Sequence, residues 1–292
     1  MNKLFRRYVV WVLIVAVVNM ALVNSIVMAA PITIELHSGN TPQSQAMLTT
    51  YLADEPNGIS VLICPGGGYS GLAIEPEGHG IARWLNQHGI TGFVLQYRMP
   101  RGRNTVPLED AQTALAVIRE HVKQWAIHPR KIGVMGFSAG GHLASTVSTH
   151  ARKRYERPAF SVLVYPVISF GEHTHGGSRK NLLGNDPSNE LIAQYSNELR
   201  VNRKTPPAFL THAIDDTVVR KINSEMYRDA CLDHGVPVEY LELPNGGHGL
   251  NGYQGPSWDA WQESSLRWIQ IYGKPLRNIK SGRWVQRIDW PW

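Results

Sequence analysis

Apolar positions along this chain follow two rhythms. Short runs such as Ser60-Val-Leu-Ile-Cys64 and Phe160-Ser-Val-Leu-Val-Tyr165 are almost wholly apolar, and they read as strands buried on both faces. Between such runs, apolar residues recur every three or four positions. Residues 108–125, for example, place Ala111, Ala114, Val117, Ile118 and Val122 on one face of a helix. Carried along the chain, these rhythms predict strands at 32–36, 47–52, 60–64, 91–97, 131–135, 160–165, 208–212 and 236–243. They predict helices at 77–88, 108–125, 140–149, 222–234 and 258–271, the first ending at Gly89.

Strands alternating with helices imply an α/β fold around a mostly parallel sheet with helices on both faces. The first two strands have no helix between them, which implies an antiparallel start. One domain is expected over residues 30–292. The longest irregular stretch, 170–205, is rich in Gly, Pro and polar residues and reads as a lid or binding loop.

The 292 residues are 43% apolar and 18% charged, which excludes intrinsic disorder, and two cysteines exclude a disulfide scaffold. Cys64 falls at a strand end and Cys231 in a helix, so both are expected as buried free thiols. Residues 1–8 carry Lys3, Arg6 and Arg7 without an acid, and a largely apolar stretch follows to Met28. Small residues at Ala29 and Ala30 complete the layout of a secretory signal over 1–29. Its length would also suit an uncleaved membrane anchor, but Asn19 and Asn24 interrupt it. Cleavage therefore implies a secreted or periplasmic protein with no stable membrane insertion. Without the leader's three cations the formal charge of +6 falls to +3, too little to suggest a nucleic-acid partner.

The strongest chemical signal is Gly136-Phe-Ser-Ala-Gly140, a G-x-S-x-G pattern between a strand and a helix. That sharp turn lifts the Ser138 hydroxyl above a sheet, while small residues at either side avoid clashes. A serine nucleophile needs a base, an orienting acid and an oxyanion hole. Two histidines lie far enough downstream to serve as base. His234 sits at a helix end, where histidine usually caps, whereas His248 lies in the mobile, glycine-rich run Pro244-Asn-Gly-Gly-His-Gly249. Asp215 and Asp216 follow the 208–212 strand; one should accept from the imidazole and the other cap the next turn. Asp186, Asp229 and Asp233 read as surface charges. Pro65-Gly-Gly-Gly-Tyr69 follows a strand and offers the amides of Gly67 and Gly68, joined by that of Ala139, as oxyanion donors. No phosphate-binding glycine pattern is present.

With these motifs in place, the chain resembles α/β-hydrolase esterases of the bifunctional acetylxylan esterase/feruloyl esterase-like group over roughly residues 45–272. The resemblance is carried by Cys64-Pro-Gly-Gly-Gly-Tyr69, Gly136-Phe-Ser-Ala-Gly-Gly-His-Leu-Ala144, Gly246-Gly-His-Gly249 and the run from Thr205 to Val219. The last places His212 and Asp216 in the family's H-G-x-x-D-x-x-V pattern, which implies Asp216 rather than Asp215 as the acid. The resemblance thus implies a Ser138, Asp216, His248 triad, Tyr69 at the substrate, and no metal or other cofactor. It also implies an ester of a small molecule or polysaccharide as the partner. Arg220 stands where the family commonly has Pro, and the tail 273–292 with Trp284, Trp290 and Trp292 has no family counterpart. Two other readings share the fold: an amidase or peptidase, and a non-catalytic carbohydrate-binding homologue. His142 reads as a packed histidine behind the turn, and His173-Thr-His175 as a solvated loop despite its metal-like spacing.

Overall fold

A computed structural model describes residues 30–273 apart from 38, 40, 42 and 43. The expected leader and the Trp-rich tail lie outside the described residues.

The sheet is built from β1 (Ile32–His37), β2 (Ala46–Tyr51), β3 (Ser60–Cys64), β4 (Thr91–Gln96), β5 (Ile132–Phe137), β6 (Ser161–Val164), β7 (Ala208–Ala213) and β8 (Val238–Leu243). Their order is β1-β2-β4-β3-β5-β6-β7-β8. Only the β1–β2 and β2–β4 pairs are antiparallel; from β4 to β8 every pair is parallel. The antiparallel start and parallel body match the alternation read from the sequence.

Strand side chains project alternately to the two faces, and the core divides accordingly. Leu62, Phe93, Val134, Leu163 and Leu210 join one apolar cluster with helices α2 (Val106–Glu120), α3 (Ser138–Thr149) and α6 (Ile222–Asp233). Val61, Val94, Met135, Val162 and Phe209 join the other, with α1 (Gly80–Asn86) and α7 (Pro256–Tyr272). Cys64 and Cys231 are both buried and free.

Two expectations change. The stretch 170–205 is not irregular: it holds α4 (Gly176–Leu183), α5 (Asn189–Tyr195) and a short 3-10 turn, Asn197–Arg200. Both helices are short and weakly amphipathic, so periodicity did not reveal them; side-chain caps from His175 and Ser188 mark their starts. Helix α2 ends at Glu120, well short of 125, because His121 leaves helical geometry and Ala126 has a positive φ of 51°.

Candidate active site

Parallel strands deliver their following loops to one edge of the sheet, and the expected residues collect there. Ser138 follows β5 directly with φ of 52°, a conformation that costs a non-glycine residue about 1–3 kcal/mol. Its flanking glycines are sterically required. A Cβ on Gly136 would stand 2.1 Å from the Gly140 carbonyl oxygen, and one on Gly140 would stand 2.0 Å from that of Cys64.

The loop after β8 brings in His248. Its Nε2 lies 2.9 Å from Ser138 Oγ and its Nδ1 lies 2.7 Å from Asp216 Oδ2. The serine hydroxyl thus donates to Nε2, and Nδ1–H donates to the carboxylate. His234 instead caps the exposed end of α6 through the Ala230 carbonyl. Asp216 has a fully buried side chain. Burial opposes its charge, but hydrogen bonds from His212 and His248, the nearby His248 charge and the Val219 amide outweigh it and hold the carboxyl well below the usual range.

The division of labour between the two aspartates differs from the sequence reading. Asp216 caps the turn itself, its Oδ1 accepting from the Val218 and Val219 amides at 2.9 Å each. Asp215 reaches across to the histidine loop, where it accepts from Gly247 N at 2.8 Å and Gly246 N at 3.3 Å. One aspartate therefore meets the imidazole while its neighbour holds the loop that carries it. His212, visible in sequence only as part of a motif, is buried behind them. It donates from Nε2 to the Val219 carbonyl at 2.7 Å, with Asp216 Oδ2 3.3 Å away.

The loop after β3 crosses directly over the serine: a Cβ on Gly66 would come within 2.9 Å of Ser138 Cβ. The Gly66 amide is occupied by Glu77 Oε2 at 2.6 Å. Gly67 accepts through its carbonyl from Ser70 and Gly71, and the Gly68 carbonyl accepts from Asn181 Nδ2 of α4 at 2.8 Å. The amides of Gly67 and Gly68 meet no acceptor among the described residues, and Ala139 is the second residue of α3, where first-turn amides have no helical partner. These amides can therefore receive a developing oxyanion.

Tyr69 is a correction. Its side chain is 2% exposed and donates its hydroxyl to His142 Nδ1 at 2.9 Å, beneath the loop rather than toward an open site. His142 is packed as expected. It donates from Nε2 to the Tyr195 carbonyl at 2.8 Å, and burial pushes its pKa down to about 3, so the ring is neutral. His175 is no solvated loop residue. Its Nδ1 accepts from Ser178 at the start of α4, and its Cε1 lies 3.9 Å from where a Cβ on Gly68 would stand. Burial lowers its pKa, and the neighbouring His248 adds to that. Glu77 has no signal in the sequence, since it falls in no motif with fixed spacing. Among the described residues no group of three or more His, Cys, Asp or Glu side chains is placed to hold a metal.

This arrangement can activate a hydroxyl nucleophile and stabilise an anionic tetrahedral species, which is acyl-transfer chemistry. A family model described as the alpha/beta hydrolase fold matches residues 61–251. An acetylxylan esterase of Xylanibacter ruminicola is 36% identical over 253 residues, covering 85% of this chain and 49% of that protein. Endo-1,4-beta-xylanase B of Butyrivibrio fibrisolvens is 32% identical over 215 residues, covering 69% of this chain and 34% of that protein. The chain thus spans half or less of these two relatives. A crystal structure of an acetyl ester-xyloside bifunctional hydrolase from Caldicellulosiruptor lactoaceticus superposes with a TM-score of 0.76 at 36% identity, covering 83% of this chain and 96% of that one. The chain belongs to the α/β-hydrolase fold family.

Proposed function

We propose that the chain is an exported serine esterase that removes acetyl or similar small acyl groups from polysaccharide- or oligosaccharide-linked esters. The observation that carries the mechanism is the strained Ser138, 2.9 Å from an imidazole whose other nitrogen is held 2.7 Å from Asp216. Ser138 Oγ attacks the ester carbonyl as His248 Nε2 takes its proton. Asp216 keeps Nε2 free to accept and stabilises the imidazolium that forms. The amides of Gly67, Gly68 and Ala139 receive the oxyanion. Collapse breaks the acyl–oxygen bond, and His248 returns the proton to the departing alcohol. Water, deprotonated by His248, then attacks the acyl-enzyme and releases the acid.

The names of the xylan-related relatives support the substrate class, and the leader at 1–29 supports export. The test is hydrolysis of a short-chain chromogenic ester and acetate release from acetylated xylan by the purified protein. Ser138→Ala is expected to lower turnover by about a thousandfold or more. Turnover within tenfold of wild type would refute the mechanism, and cleavage of matched amides in preference to esters would move the assignment to amidases.

A further inference from the structure

Outside the triad and the oxyanion amides stands Glu77, a buried side chain that takes no part in the bond-making steps. It sits on a π-helical turn, Glu75–His79, a widened geometry that recurs at functional sites. It is 3% exposed. A carboxylate in such a place is costly unless its lone pairs are used. Here three donors use them. Oε2 accepts from the Gly66 amide at 2.6 Å, and Oε1 accepts from Tyr165 at 2.9 Å and Tyr253 at 3.2 Å.

Each donor belongs to a segment that carries the reaction. Gly66 opens the loop whose next two amides face no internal acceptor. The Tyr165 ring packs against His248 with centroids 4.9 Å apart. Tyr253 donates its amide to the Gly249 carbonyl at 2.9 Å, one residue beyond the base. Tyr165 and Tyr253 also hold left-handed backbone, φ 37° and 68°, which side-chain-bearing residues keep only when their surroundings impose it.

We propose that Glu77 is a positioning residue for the esterase reaction, its carboxylate setting the oxyanion loop and the His248 loop at a fixed separation across Ser138. Donors to both oxygens of one rigid, planar group leave the two loops little freedom to drift apart. The buried carboxylate also lies in the field of His248, where it favours the imidazolium of the transition state. This inference rests on the serine esterase reading and assigns it a further residue.

The test is Glu77→Gln, which keeps the volume but turns one oxygen into an amide that cannot accept. With a short-chain nitrophenyl ester, kcat is expected to fall about tenfold to hundredfold with KM within threefold. Affinity for a boronic acid that forms a tetrahedral adduct on Ser138 should fall in parallel. Tyr253→Phe should cost a smaller part of the same loss and add nothing when combined with Glu77→Gln, because both act through one network. A folded Glu77→Gln protein with kcat within threefold of wild type would overturn the proposal, as would a kcat loss with boronate affinity intact. Should Glu77→Gln not fold, Tyr253→Phe and Tyr165→Phe carry the test, and unchanged kcat in both would overturn it. A wild-type protein inert toward esters would instead refute the esterase reading itself.

Discussion

Two buried carboxylates stand at opposite sides of the site, and their surroundings differ. Asp216, at the β7 edge, is met by two imidazoles and two backbone amides, and its acidity rises despite burial. Glu77, near the β3 edge, is met by one amide and two phenols. Burial dominates there and pushes its pKa up, although all three donors and the His248 charge oppose the shift. The same functional group is thus made a stronger acid where hydrogen bonds from two imidazoles and a backbone amide outweigh burial, and a weaker one where burial outweighs its donors. The first environment suits a group that must stay ionised beside an imidazolium. The second suits one whose job is to hold neighbouring segments in place.

The comparison can be broken most sharply at Asp216. Asp216→Asn should lower kcat by about a thousandfold to ten-thousandfold, since an amide there can donate to Nδ1 and select the wrong imidazole tautomer. Asp215→Asn, one residue earlier, should cost about tenfold or less, because it weakens only the ties to Gly246 and Gly247. Steady-state kinetics on one ester separates the two, and equal losses would mean that both aspartates serve the imidazole.

Acidification sharpens the contrast further. Asp216 titrates lower in the folded protein than in the unfolded chain, so its stabilisation is present above about pH 4 and is lost as pH falls toward its folded value. Glu77, with its pKa raised, contributes in the opposite sense: its stabilisation is present at low pH and is lost as pH rises through its folded value. Denaturant unfolding between pH 2 and 6 should therefore show a shallower rise of stability with pH in Asp216→Asn, by up to about 1.4 kcal/mol per pH unit. The smallest effect expected is at α4: Asn181→Ala releases the Gly68 carbonyl from that helix and should lower kcat/KM by about twofold to fivefold without changing the fold. No change there would show that the α4 contact does not steady the oxyanion loop.

Asp216 was legible because it lies in a motif with set spacing, whereas Glu77 looked like an ordinary first-turn helix acid four residues before Ile81. Nothing local distinguishes a glutamate facing water from one facing Gly66 and two tyrosines 88 and 176 positions away. Tyr69 failed for the converse reason. The resemblance implies a place at the substrate, but the ring lies under the loop, its hydroxyl on His142, with the backbone at a positive φ of 59°.

Local physics therefore settles much of this fold. Strand and helix rhythms gave the parallel sheet, its antiparallel start and the strand–serine–helix turn, because those features depend on periodicity and on where a chain can bend. Which polar groups share a buried space depends instead on how distant segments meet. The tie from Asp215 to the His248 loop, the docking of α4 on Gly68 and the carboxylate at Glu77 all arise from contacts between segments far apart in the chain. Burial turns such meetings into strong interactions, and burial is a property of the assembled fold.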